Sequence, residues 1–345
     1  MRLEDIGFYT LSDARVKQSN VNSPLWRCEL VLTARCNFKC PYCRSVGGKD
    51  LNPEIAIATI WLWGLQGLKN IRFTGGEPTL YPNLLQLVRV SKLAGVERVA
   101  ISTNGSASMD LYRELIAAGV DDFSVSLDAC CAEDGDKMAG GIKDAWDTVV
   151  SNIRELAKLT YTTVGVVLTD TNYRSVNDII RFAHDLGVHD IRIIPAAQDG
   201  NSLVNVQVDD DLLSAHPILK YRIQKMQAGD RVRGLVASDA NRCGLALDDM
   251  AAMGDKHYPC IIYMRERGAA IGNIGLTMRQ ERAVWSAEHD THADPICSQN
   301  CLDVCVDFNN RFAAVVQQTG HFVSTEGDAG ANPAGSTNNG LQALN

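Results

Sequence analysis

The chain has 345 residues, 46% of them hydrophobic, which can fill one large core and a smaller one and excludes a disordered or fibrous protein. With 33 Lys and Arg against 41 Asp and Glu, the formal charge of -8 argues against a broad nucleic-acid surface, which needs clustered cations. The longest apolar run, IAIATIWLWGL, is far shorter than the roughly 20 residues that span a bilayer, and MRLEDIGFYT at the amino terminus has no apolar signal core. A soluble, cytoplasmic protein without a membrane partner is expected.

Residues 1–25 read as an amino-terminal extension. From 26 to 207, short β-branched runs alternate with amphipathic stretches, the mark of repeated βα units around a parallel sheet. The strands read as WRCELVLT, NIRFTG, RVAISTN, DFSVSLD, TTVGVVLT and DIRIIPA. Helix-like segments separate them, among them PEIAIATIWLWGLQGL, PNLLQLVRVSKLAG and SVNDIIRFAHDLG, each with a plausible start or stop residue. The fold class expected is α/β, a six-unit array closed or partly closed like a TIM barrel. After about residue 208 the rhythm stops, and DDLLSAHPILKYRIQKMQ leads into a cysteine-bearing segment that reads as a small second domain over 208–318. From residue 319 to 345 the composition turns to Gly, Ser, Thr and Asn, which predicts a disordered tail.

In such arrays the loops at the carboxyl ends of the strands converge on one face. The loop after the first strand, ARCNFKCPYCRS, packs Cys36, Cys40 and Cys43 into eight positions; TGGEP follows the second strand, STNG the third and SLDACC the fourth. Eleven cysteines without an export signal point to metal ligands rather than disulfides. Cys28, inside the first strand, reads as a core residue. Three thiolates on a cubane iron-sulfur cluster leave one iron open for another ligand. By spacing alone the loop could instead be half of a zinc site.

The Cys36-x3-Cys40-x2-Cys43 loop after the first strand, with the aromatic Tyr42 before the last cysteine and GGEP after the second strand, resembles the radical S-adenosylmethionine (SAM) superfamily over roughly residues 26–200. The resemblance implies that Cys36, Cys40 and Cys43 hold a 4Fe-4S cluster whose open iron chelates SAM. It implies a methionine-binding turn at Gly75, Gly76, Glu77 and Pro78, with Glu77 as an acceptor for the ammonium group. Ser102, Asn104 and Ser126 would meet the SAM carboxylate and ribose, and backbone near Tyr42 and Ile193 the adenine. Reductive cleavage of SAM would give a 5'-deoxyadenosyl radical that takes a substrate hydrogen atom, with a flavodoxin or ferredoxin as electron donor.

The run from Cys243 and Cys260 through IGNI to Cys297, Cys301 and Cys305 resembles the SPASM and twitch extensions of that superfamily. It departs from the seven-cysteine SPASM pattern, so the resemblance implies one auxiliary 4Fe-4S cluster using four of the five thiols, with Cys243 the doubtful member. A structural zinc site is the alternative. Cys130 and Cys131 are expected to face a loop interior. The 35 residues before Cys36 are too few for a leader-binding domain, which favours a small molecule or nucleoside over a peptide substrate. The molybdopterin-pathway GTP cyclases usually end in Gly-Gly, whereas this sequence ends LQALN, which argues against that identity. The readings from other classes are a peptide-modifying maturase and a non-catalytic iron-sulfur carrier or sensor; the latter would need no GGEP turn.

Overall fold

The computed structural model describes residues 9–44, 47–197, 206 and 208–319. The expected tail beyond Thr319 and the first eight residues lie outside this set. After a short helix α1 (Asp13–Gln18), the chain builds β1 (Arg27–Thr33), β2 (Asn70–Gly75), β3 (Arg98–Thr103), β4 (Asp122–Ser126), β5 (Tyr161–Leu168) and β6 (Asp190–Pro195). They pair in sequence order and all in parallel, as the six-unit reading requires. Successive strand residues point to opposite faces. Accordingly Ile71, Phe73, Val99, Ile101, Phe123, Val125, Val164, Val166, Ile191 and Ile193 are buried against the helices. Arg72, Ser124 and Arg192 occupy the alternate positions.

The crossover helices are α2 (Pro53–Leu65), α3 (Leu84–Leu93), α4 (Met109–Ala118), a short α5 (Ala132–Met138) followed by α6 (Ala145–Leu159), and α7 (Val176–Asp185). Local chemistry sets where they start. Asn52 caps α2 by accepting from the backbone N–H of Glu54 at 2.8 Å with Pro53 in the first turn, and Ser108 caps α4 through Leu111 N–H. Cys28 is fully buried in the core, as expected. No helix of the described residues is long and apolar enough to cross a membrane.

The stretch after 208 forms α8 (Asp210–Ala215) and α9 (Pro217–Gln227), split at Pro217, and then does something the sequence did not suggest. Residues Asp249–Met253 form β7, which pairs in parallel with β1 and extends the sheet through the antiparallel β8 (Lys256–Tyr258) and β9 (Gly272–Asn273). DMAAM has no β-branched residue, so its strand is made by its surroundings: Arg27 of β1 donates to Asp249 at 2.5 Å, and Ala251 and Ala252 fit a fully buried slot. Helices α10 (Ile261–Arg265), α11 (Met278–Glu288), α12 (Pro295–Asn300) and α13 (Asp303–Thr319) complete the segment. The fully buried Arg282 of α11 gathers it by donating to the carbonyls of Ala246 and Tyr258, both at 2.9 Å, and to that of Asp249. Buried Arg15 of α1 pairs with buried Asp248, tying the amino-terminal segment to the same region.

Candidate active site

The three-cysteine loop leaves β1 through a polar clasp. Thr33 donates to Asp50 at 2.5 Å and accepts from Arg35 N–H at 3.0 Å, while the Arg35 guanidinium reaches Asp50 at 2.6 Å. The next strand end approaches so closely that it requires glycine. A Cβ on Gly75, which sits at φ 153°, would lie 2.4 Å from the Thr33 carbonyl, and one on Gly76 would lie 2.2 Å from that of Arg35. These glycines therefore dock the second loop onto the first.

Cys36, Cys40 and Cys43 line one cavity of about 200 Å³ with Gly75, Gly76, Ser102, Asn104 and Ser126. Burial, then the charges of Asp128, Cys43 and Cys36, push the Cys40 thiol up to about 12, and burial raises Cys36. Without a cation the site therefore favours protonated thiols, and a bound metal must displace those protons.

Glu77 turns into the protein and is not among the cavity-lining residues. Its carboxylate is fully buried: Oε1 accepts from Thr79 N–H at 3.1 Å and from the Thr79 and Thr103 hydroxyls at 2.7 Å, and Oε2 accepts from Asn104 N–H at 2.7 Å. With both oxygens bonded inward, Glu77 braces the second loop against the third. Burial raises its pKa against the pull of these donors. Asn104 carries the brace onward, its amide donating to Asn37 Oδ1 in the cysteine loop at 2.9 Å and lying 3.9 Å from Cys36 Sγ.

Ser102 accepts from Arg72 at 3.1 Å. Pro78 is buried in a one-turn helix, and Ile193 is buried in β6; neither is among the cavity-lining residues. Tyr42 does line it, and its hydroxyl donates to Asp128, whose other oxygen accepts from Val167 N–H at 2.7 Å. Burial lifts the Asp128 carboxyl to about 6 against these two donors. The sequence placed Asp128 on the rim, within SLDACC, but assigned it no role. It also gave no sign of Arg265, which α10 brings onto the cavity wall from the carboxyl-terminal segment, 3.4 Å from Thr74 Oγ1. Cys130 is half-buried against the core and Cys131 is exposed, 3.3 Å from Asp134, so only the first meets the expectation of a loop interior.

A second, largely apolar cavity is lined by all five late cysteines: Cys243, Cys260, Cys297, Cys301 and Cys305. Cys243 is thus brought in with the others. Its thiol lies 3.7 Å from the Asn309 amide nitrogen, and the neighbouring Gly244 leaves room for the Phe312 ring, which a Cβ would meet at 2.1 Å. Cys260 caps α10, with its sulfur 3.4 Å from Tyr263 N–H. Burial is the leading cause that raises all five thiols, Cys260 to about 12.

The model of the radical SAM superfamily matches residues 30–183. The probable GTP 3',8-cyclase of Sulfurisphaera tokodaii is 32% identical over 205 residues, covering 57% of this chain and 64% of that protein. The corresponding protein of Saccharolobus solfataricus is 31% identical over 210 residues, 59% of this chain and 68% of that one. The match thus spans just under two thirds of the first relative. Among solved structures, Streptococcus suis SuiB bound to S-adenosylmethionine aligns with a TM-score of 0.55 at 15% identity, over 82% of this chain and 69% of that one. Native anSMEcpe with bound AdoMet and the Kp18Cys peptide aligns with a TM-score of 0.58 at 14% identity, over 86% and 98%. At these identities the likeness is one of fold.

Proposed function

The chain belongs to the radical SAM superfamily, and we propose that it removes a hydrogen atom from a nucleotide or a similar anionic small molecule. When bound, a reduced 4Fe-4S cluster and SAM supply the 5'-deoxyadenosyl radical for that step. The donor set fits the cluster: three thiols share one cavity, and no fourth cysteine is among its described lining residues. Cys36, Cys40 and Cys43 would hold it. The backbone of Gly75 and Gly76 and the polar groups of Ser102, Asn104 and Ser126 would bind SAM. Met138 and Trp146 would close the wall and keep water from the radical.

The observation that carries the substrate reading is Arg265. It stands on the cavity wall, and no carboxylate among the described residues forms an ion pair with it. Burial, then the charge of Arg265, lowers the pKa of Arg44, while burial, then Arg44, lowers Arg233 to about 10. Glu266 pairs with Arg44 alone among the described cations, so Arg265 stands on the wall of the cavity that Asp128 also lines as a cation that a substrate phosphate or carboxylate would engage. The similarity to probable GTP 3',8-cyclases makes a purine nucleotide the first candidate. We read four of the five late thiols as holders of an auxiliary 4Fe-4S cluster and a flavodoxin or ferredoxin as electron donor.

The test is isotope transfer. Reduced enzyme given SAM and ribose-deuterated nucleotides should place deuterium in 5'-deoxyadenosine, and Arg265→Ala should raise the substrate KM at least about tenfold while SAM still binds. Deuterium transfer from a peptide and from no anionic small molecule would sink the nucleotide reading and favour a peptide-modifying enzyme.

A further inference from the structure

At the edge of the five-thiol cavity three unlike side chains converge. His289 Nε2 lies 3.3 Å from Asp294 Oδ2 and 3.9 Å from Cys297 Sγ, and the three atoms all fall within 4.8 Å of one another. Tetrahedral zinc with bonds of about 2.0–2.3 Å sets nitrogen and oxygen ligands about 3.3 Å apart and nitrogen and sulfur about 3.6 Å apart. The two distances from His289 Nε2 are close to those a single ion would impose, and the sulfur and carboxylate ligand atoms lie within 4.8 Å.

The surroundings hold these atoms in place as an outer layer of a metal site does. Trp285 stacks on the His289 ring at 4.1 Å with 17° between planes. Tyr263 donates its hydroxyl to Asp294 Oδ2 at 2.9 Å, and Asp294 Oδ1 accepts from Ile296 and Cys297 N–H at 2.7 and 2.9 Å, fixing the carboxylate at the start of α12.

Thiol arithmetic points the same way, because a 4Fe-4S cluster takes about four protein sulfurs and five are present. Cys297 lines the five-thiol cavity, while its sulfur lies 3.9 Å from His289 Nε2 and its N–H donates to Asp294 Oδ1 at 2.9 Å, which sets it between the thiol group and the His–Asp pair.

We propose that Cys297 is the thiol outside the auxiliary cluster and that, with His289 and Asp294, it forms a separate mononuclear zinc site. The ion would take three protein ligands and a water, and would clip the turn between α11 and α12 across the edge of the cavity. The inference rests on the auxiliary-cluster reading only in leaving four thiols to the iron.

The test uses full-length protein purified anaerobically, reconstituted with iron and sulfide and supplied with zinc. Metal analysis should give about eight irons and about one zinc per chain, and zinc-edge X-ray absorption about one sulfur with nitrogen and oxygen neighbours. His289→Ala and Cys297→Ser should each lose the zinc and keep the iron, and His289→Cys should keep zinc but show about two sulfurs. Loss of about four irons in Cys297→Ser, zinc retained in His289→Ala, or a four-sulfur zinc shell in the wild type would overturn the proposal. The wild-type absorption spectrum decides even where a variant fails to fold. About four irons with this zinc shell intact would condemn the auxiliary-cluster reading instead, and a failure of SAM cleavage in the same sample would bear only on the first site.

Discussion

Glu77→Gln isolates the brace between the second and third loops. In the native site one carboxylate oxygen serves Thr79 and Thr103 and the other serves Asn104 N–H. Hydroxyls can turn to accept from an amide nitrogen, but backbone N–H groups cannot. Either orientation of the glutamine therefore sets its NH2 against Asn104 N–H or Thr79 N–H. Losing one hydrogen bond to a charged acceptor costs about 1.5–3 kcal/mol, and the stranded donor adds about 1–3 kcal/mol. Burial of the carboxylate raises its pKa, so the neutral amide recovers part of the desolvation cost. The net expectation is about 2 kcal/mol, or a fall in Tm of about 3 °C. Because Asn104 also holds Asn37 beside Cys36, SAM affinity should fall about tenfold with the same change. Calorimetry and anaerobic SAM titration measure the two. An unchanged Tm and an unchanged SAM affinity would refute the brace.

Gly76→Ala places a Cβ 2.2 Å from a backbone oxygen and should prevent assembly of the cysteine loop, read as loss of the first cluster's absorbance. Burial lifts the Asp128 carboxyl from its ordinary 3.8 to about 6, so its contribution to stability is full below about 3.8 and is lost as pH rises through about 6. Scanning calorimetry from about pH 5 to about pH 7.5 should show a decline of up to about 1.4 kcal/mol that Asp128→Asn removes. Cys260→Ala should lower iron by about four atoms per chain, reduce the Tm of the carboxyl-terminal segment and leave SAM cleavage uncoupled from substrate turnover; iron analysis with product counting checks this.

Much of this fold could be read because β-branched runs and helical periodicity repeat from residue 26 to 195, and all six strands lie where that pattern sets them. β7 could not be read. DMAAM gains its strand from Arg27 and a buried slot beside β1, which are tertiary facts. At the site, cysteine spacing and the GGEP turn marked loops that the fold gathers at one cavity, yet the motif does not reveal that Glu77 faces inward, because its four donors come from two loops. Asp128 and Arg265 escaped for different reasons. The first was seen only as part of a rim motif; the second reaches the cavity from α10, nearly two hundred positions from Thr74. The cysteine count suggested four ligands out of five, and only the folded chain brings His289 and Asp294 to Cys297.

The central claim is that the three-cysteine cavity cleaves SAM. The most direct measurement is 5'-deoxyadenosine release by anaerobically reconstituted protein given SAM and a strong reductant, beside the variant with Cys36, Cys40 and Cys43 all changed to Ala. The wild type should release 5'-deoxyadenosine and methionine, while the variant should release none yet keep the iron of the carboxyl-terminal site. Wild-type protein with its clusters intact and no SAM cleavage, or a triple variant that cleaves SAM as the wild type does, would contradict the account.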